Sequence, residues 1–429
     1  MTDDARDLLH VAGNGLLDRR LFMRTLALGA AGTATAATGV SFAEPVSEGQ
    51  PEWMLVPGAT TEDYGTPSRF ELERTRRWTV PPAGQVATGR STAAFTPHHL
   101  MHGTITPGGL HFEVNHHGIP DIDPDRHELI IHGLVRQPIK LSLDAIANYP
   151  TETHQYFLEC SGNSGRLWAD EPTPINLDLS HGLLSGSEWT GVPLATLLDE
   201  AGLQPGAKWV IAEGGDSGSL SRSIPLDKAL DDTLIVLYQN GERLRPGQGY
   251  PMRLFNPGFE GNTSIKWVRS IRVTDKPAMT RFETSTYTDL MPDGIAMQFS
   301  LGMDVKSVIT RPSNANSLPK RGVYEVTGLA WTGNGRITRV EVSADGGQTW
   351  AEAALQDPVL PKMLTRFRIP WEWQGGPAVL QSRAVDEAGR VQPTRTELIA
   401  ARGKHGHYHF NGIHSWGIGE DGGIKHVYA

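Results

Sequence analysis

The stretch Gln155-Tyr156-Phe157-Leu158-Glu159-Cys160-Ser161-Gly162-Asn163-Ser164-Gly165-Arg166 passes from an apolar, aromatic-rich run of strand length directly into small and polar residues. That switch predicts a strand ending in a Gly-rich turn, with Cys160 at the junction. Cys160 is the one cysteine in 429 residues. A disulfide, a Cys₂ or Cys₄ zinc site and a covalently attached c-type haem each need at least two thiols, so none of them forms within this chain. A lone cysteine is usually an inert core residue. On an open turn, however, small neighbours let something bulky approach the sulfur, and Arg166, six positions on, would favour the thiolate. A thiolate suits a soft or highly oxidised transition metal, yet a single one cannot hold a metal alone. The remaining ligands must then come from a cofactor.

Outward from this turn the chain reads as short strands and few helices. Leu129-Ile130-Ile131-His132-Gly133, Thr233-Leu234-Ile235-Val236-Leu237-Tyr238 and Ile265-Lys266-Trp267-Val268 have strand length and β-branched content, and Asn240-Gly241 after the second is a hairpin signal. Helices are expected at Leu194 to Ala201 and Leu226 to Leu230. The spacing predicts an α+β domain over 67–306. A polar break at Ile309-Thr310-Arg311-Pro312-Ser313-Asn314 opens a second pattern of alternating strands, among them 324–331, 337–343 and 384–386, which predicts an immunoglobulin-like sandwich over 307–402. Residues 403–429 form a Gly- and His-rich tail, with His405 to His409 and Trp416 as candidates for covering part of a partner subunit. Residues 44–66 read as an exposed, proline-punctuated lead-in.

Composition agrees with many turns, since Gly 48 and Pro 29 make up about 18% of the chain. A formal charge of −9 leaves no diffuse basic field for a polyanion, which argues against nucleic acid. Near the amino terminus, Asp18-Arg19-Arg20-Leu21-Phe22-Met23 precedes an Ala/Gly-rich apolar run and Ser41-Phe42-Ala43. Residues 1–43 therefore read as a twin-arginine export signal cut near Ala43, with no membrane span in the mature form and a periplasmic destination. That export route carries folded proteins, often with a cofactor already inserted. The histidine runs His98-His99-Leu100-Met101-His102, His116-His117 and His405-Gly406-His407-Tyr408-His409 offer a rival chemistry, zinc or copper held by imidazoles.

The cysteine turn Leu158-Glu159-Cys160-Ser161-Gly162-Asn163 resembles the Leu-Gln-Cys-Ala-Gly-Asn turn of the sulfite-oxidase family of molybdenum enzymes. The resemblance runs from about residue 110 to 400. It includes Phe112-Glu113-Val114-Asn115-His116, Glu213-Gly214-Gly215-Asp216, Ser223-Ile224-Pro225-Leu226, Tyr250-Pro251-Met252-Arg253, Pro257-Gly258 to Gly261, Ser264-Ile265-Lys266-Trp267 and, in the sandwich, Val342-Ser343-Ala344-Asp345-Gly346-Gly347. It implies molybdenum-molybdopterin as cofactor and Cys160 as the metal's protein ligand, with Arg166 beside it in the catalytic centre. Phe112, Glu113, Val114, Asn115, His116, Asp216, Gln248, Arg253, Ser264, Ile265 and Lys266 fall on cofactor-binding positions. Arg253 and Lys266 suit a terminal phosphate.

The departures from the family pattern bear on substrate. Val114 replaces an arginine, Leu220 a tyrosine and Gln248 a histidine, and Arg166 sits one position late. A unit charge about 4 Å away at an effective dielectric near 20 is worth about 4 kcal/mol to an anion, so the pocket is poorly made to capture free sulfite. These changes resemble the branch of the family that oxidises sulfane sulfur carried on a protein's cysteine during thiosulfate oxidation; sulfite dehydrogenation is the alternative. With one cysteine there is no haem in this chain. A c-type cytochrome subunit would take the electrons, and a homodimer of heterodimers is the expected assembly.

Overall fold

The computed structural model describes residues 10–23, 52–61, 64–71, 75–79 and 91–429. The apolar run and cleavage site of the export signal lie outside them. Among the described residues no helix is long and apolar enough to cross a membrane.

The amino-terminal domain rests on two five-stranded sheets. One runs in the order Ser221–Pro225, Trp209–Gly214, Val268–Thr274, Glu128–Gly133, Ile139–Ser142, and only the central pair 268–274 with 128–133 is parallel. Its alternation is visible in the sequence: Leu129 and Ile131 are fully buried while Ile130 between them points outward. The other sheet joins Glu242–Arg243, Leu234–Gln239, Leu184–Pro193 and Glu152–Glu159, with Arg253–Phe255 also pairing to 234–239. Asn240 and Gly241 take left-handed φ of 51° and 80° at the expected hairpin. The helices Leu194–Ala201 and Leu226–Asp231 form where expected; the first buries the stripe Leu194, Leu197, Leu198 and Ala201, while the second buries only Ala229 and Lys228. Ile265 to Val268 is not a strand. The chain turns there, with Trp267 at φ 53°, and extended pairing starts only at Val268.

The second domain is a two-sheet sandwich. Lys306–Arg311, Gly322–Trp331 and Thr365–Trp373 form one face; Ile337–Ser343, Ala378–Asp386, Ser415–Ile418 and Ile424–Val427 form the other. The polar break expected at 309–314 lies partly inside the first of these strands. The tail is not loose: its last two strands complete the second sheet, and Trp416 is fully buried with its indole N–H donating to the Ile309 carbonyl at 3.0 Å. Trp416 therefore cannot lie on a partner interface. The reading of residues 1–43 as an address alone does not extend to residues 10–17, which pair with the sandwich through Leu16 and Trp371. The sandwich core continues into the first domain through Phe157, Leu177 and Leu184, so the two domains share buried apolar surface next to the cysteine turn.

Candidate active site

The strand Glu152–Glu159 delivers Cys160 to the wall of a cleft of about 660 Å³. The turn after it is closed locally: the Cys160 amide donates to the Leu183 carbonyl at 3.0 Å and the Asn163 amide to the Cys160 carbonyl at 2.8 Å. Ser164 follows in the left-handed region at φ 66°. Glu159, directly before the cysteine, is fully buried and accepts from Asn163 Nδ2 at 2.8 Å, Lys306 Nζ at 3.1 Å and Trp331 Nε1 at 2.6 Å. Lys306 and Trp331 belong to the sandwich. The second domain thus holds the residue that aims the cysteine.

The Cys160 thiol is free, and burial pushes it up to about 11; the Gly162 amide opposes the rise, while Glu260 and Glu159 add to it. The thiolate-favouring guanidinium expected from Arg166 is not there: Arg166 is exposed and does not line the cleft. A thiol raised this far stays protonated at neutral pH until a positive centre binds it, which suits a metal ligand better than a free nucleophile.

Eleven of the thirteen expected site residues line this one cleft, and the two exceptions are explained by where they point. Arg166 faces solvent; Ile265 packs into the core of the first domain. The segment Phe112 to His116 is held by its backbone. Gln248 Nε2 donates to the Phe112 carbonyl at 2.9 Å, and Lys266 Nζ donates to the carbonyls of Val114 and Gly247, each at 3.0 Å, and to Asn115 Oδ1. Arg253 Nη1 donates to the Gln248 carbonyl and Nη2 to the Ser264 carbonyl, both at 3.0 Å, while its Nε has no partner. Asp216 stands 3.7 Å from His117 Nδ1 and accepts from the Leu220 amide. His116 Nε2 lies 3.1 Å from the Tyr287 hydroxyl; burial, reinforced by Lys266 and His117, lowers the ring to about 4 and keeps it neutral.

Arg253 and Lys266 decide whether the expected cofactor fits. Burial lowers Arg253 to about 9, and burial together with Arg253 lowers Lys266 to about 7. Every hydrogen-bond acceptor they reach is neutral. Glu113 and Asp216 in the same cleft offset part of the charge on Lys266 but hydrogen-bond to neither cation, and two adjacent cations out of water with no bonded carboxylate are costly. A terminal phosphate supplies the missing charge and accepts from the free Nε–H. The residues present therefore fit molybdopterin, with Cys160 placed to bind its metal; when bound, that group would supply two-electron redox chemistry.

Four further residues were not expected at the site. Asn262 lines the cleft and donates to Ser161 Oγ at 3.1 Å and Glu260 Oε2 at 2.9 Å; its position one after Gly261 could have flagged it. Tyr287 lines the cleft from a segment with no motif. The tail supplies the other two. The His409 amide donates to the Ser161 carbonyl at 2.9 Å, its ring stands 3.3 Å from Glu260, and the Tyr408 ring packs 5.4 Å from that of Tyr287. Burial raises Tyr287 well above its ordinary range and pushes Tyr408 up to about 12, with Cys160 contributing to both. The histidine runs do not converge. His99 pairs with Asp178, His116 faces the cleft while His117 stands behind it against Asp216, His405 is exposed, and among the described residues no group of three or more His, Cys, Asp or Glu could hold a metal ion.

A strand-end cysteine beside an anion-seeking cation pair, in a domain followed by a sandwich, defines a molybdopterin-dependent oxidoreductase. The comparisons agree: residues 116–282 match the oxidoreductase molybdopterin binding domain and residues 298–415 the Mo-co oxidoreductase dimerisation domain. The fold is similar to the crystal structure of the sulfane dehydrogenase SoxCD from Paracoccus pantotrophus, with a TM-score of 0.85 and 42% identity, covering 89% of this chain and 97% of that one. Mitochondrial sulfite oxidase of Mus musculus is 30% identical over 338 residues, 73% of this chain, and NADH nitrate reductase of Solanum lycopersicum is 29% identical over 308 residues, 64% of this chain. This chain spans 62% of the length of that sulfite oxidase and 33% of that nitrate reductase. The chain belongs to the sulfite-oxidase family of molybdenum enzymes.

Proposed function

We propose that this chain is the molybdenum subunit of a sulfane dehydrogenase that oxidises sulfane sulfur borne on the cysteine of a carrier protein during thiosulfate oxidation. One observation carries the reading: the cleft's cations, Arg253 and Lys266, are committed to the phosphate seat, and the charged groups that act on Cys160 are the carboxylates Glu260 and Glu159. A free sulfite dianion would meet no arginine there besides Arg253, while Val114, Leu220 and Tyr287 suit a neutral or singly charged sulfur on an extended arm. The likeness to the sulfane dehydrogenase structure supports the same choice. Each oxygen taken from water and added to sulfur releases two protons and two electrons, and the electrons leave singly to a c-type cytochrome subunit. The match to a dimerisation domain supports a homodimer of such heterodimers, and Arg19-Arg20 supports export to the periplasm.

The deciding experiment supplies cytochrome c as acceptor and compares turnover of a persulfidated carrier protein with that of free sulfite. Preference for the carrier is expected; efficient turnover of sulfite alone would make the chain a sulfite dehydrogenase. Replacing the ligand atom, Cys160→Ser, is expected to lower turnover by more than about 100-fold while Arg253 and Lys266 still retain the pterin, measured as molybdopterin per chain. Near-normal turnover in that variant would remove Cys160 from the centre.

A further inference from the structure

Residues 10–17 form a hairpin, His10–Ala12 against Leu16–Leu17, that extends the sandwich sheet at the strand Thr365–Trp373. The contact is specific. Leu16 and Leu17 are buried, and Leu16 belongs to the sandwich core. Trp371 Nε1 donates to the Asn14 carbonyl at 2.7 Å, the Glu372 amide to the Gly15 carbonyl at 2.8 Å, Asn14 Nδ2 to the Ala344 carbonyl at 2.8 Å and the Gly13 amide to Thr349 Oγ1 at 2.7 Å. Asn14 and Gly15 take φ of 57° and 90°, and a Cβ on Gly15 would come within 2.1 Å of the Glu372 carbonyl oxygen. Only glycine passes at that point. The seat draws on both halves of the sandwich: Trp371 and Glu372 lie on one sheet, while Ala344 and Thr349 lie on the loop leaving the strand Ile337–Ser343 of the other. It exists only when the two sheets have closed on each other.

We propose that this edge is a docking site for the chain's own amino-terminal hairpin, and that docking ties the exposed Arg19 and Arg20, two residues beyond Leu17, to a sandwich that has already folded. The ligand is a short strand of the form Ala-Gly-Asn-Gly-Leu-Leu, recognised by main-chain pairing, a glycine-only crossing and one leucine socket. Removal of the leader after Ala43 would take the hairpin away and leave the backbone at Trp371 and Glu372 open at the sheet edge. The use made of docking rests on the export reading; the docking itself does not.

Hydrogen–deuterium exchange on the full chain tests it. In the wild type, a peptide covering residues 10–17 and the Glu372 amide are expected to exchange at least about tenfold more slowly than in Gly15→Val, with the strand Gly322–Trp331 equally protected in both. Leu16→Asp should repeat the effect. Unprotected exchange of residues 10–17 in the wild type, or protection that survives Gly15→Val, would overturn the docking site. In a urea series, protection of 10–17 is expected to vanish no later than that of the sandwich strands; persistence beyond them would overturn the dependence on a closed sandwich. Amino-terminal sequencing of chain recovered outside the cytoplasm tests the export reading separately, since a failed export signal would leave the exchange pattern unchanged.

Discussion

Two fully buried arginines of the first domain are treated oppositely. Arg222 is held by two carboxylates, Glu260 at 2.8 Å and Glu283 at 3.1 Å, and lies 4.8 Å from the centre of the Tyr287 ring. Burial works against its charge, and the carboxylates more than restore it. Arg253 bonds only to neutral acceptors, chiefly backbone carbonyls, and burial alone lowers it to about 9. The lysines differ in partner, though burial lowers both: Lys306 bonds Glu159, whereas Lys266 donates only to neutral acceptors. A buried cation with a carboxylate is a structural joint. A buried cation whose hydrogen bonds all go to neutral acceptors is suited to an anionic ligand, and in this chain Arg253 and Lys266 are of that kind.

The contrast breaks most visibly by removing each arginine in cofactor-free protein. Arg222→Met takes the guanidinium from both Glu283 and Glu260, leaving Glu260 only the neighbouring His409 and Asn262, and unfolding in urea should show a loss of about 3–5 kcal/mol. Arg253→Met strands no carboxylate and relieves an unpaired cation, so the cofactor-free chain should keep or gain stability while molybdopterin loading falls. Equal destabilisation by the two would mean that pairing does not distinguish them.

The second prediction concerns buried bases that remain neutral, a third way of meeting the same problem. Burial lowers His98 to about 4 and His111 to about 3, and drives His181 and His414 well down. Below about 6.5 the unfolded chain takes up protons that the folded one refuses, so stability falls as pH drops from 6.5 toward each folded value, by about 1.4 kcal/mol per pH unit per histidine. For His98 this amounts to about 3 kcal/mol by pH 4. Urea titrations between pH 4.5 and 7 should show the slope, and His98→Gln should reduce it by one proton's worth.

Much of this was legible because it is local. The cysteine turn, the basic residues after short strands and the Asn240-Gly241 hairpin are written in contiguous residues, and the resemblance supplied their grouping. What escaped depends on pairing across long separations. Arg166 looked like the sulfur's neighbour by sequence distance, but the short helical turn Gly165–Trp168 points it outward. Tyr287 and Tyr408 meet near the thiol from segments 121 residues apart, with no shared motif to announce it. Leu16 and Leu17 read as part of a leader because nothing local says that a sheet edge 355 residues away has room for them. The role of the sandwich in fixing Glu159 was likewise invisible, since Lys306 and Trp331 look like ordinary strand residues until the domains meet.

The finest test of the contrast between paired and unpaired cations is the pH dependence of cofactor loading, because Lys266 is the cation closest to losing its charge. Its proton leaves near 7 in the cofactor-free fold, against about 10.4 in an unfolded chain. Between these values the unfolded chain binds more protons, so the contribution of Lys266 to the stability of cofactor-free protein rises with pH across that window and is flat above it. Binding a phosphate needs the charged form, so loading should weaken as pH climbs past about 7, by up to about tenfold per unit, because each complex must first return a proton to Lys266. Lys306, which burial also lowers but which does not line the cleft, should contribute no such dependence. Loading measured from pH 6 to 9 should therefore flatten in Lys266→Met, at a lower overall level. A profile that keeps its slope in that variant would place the titrating group elsewhere and leave Arg253 as the phosphate's only cation.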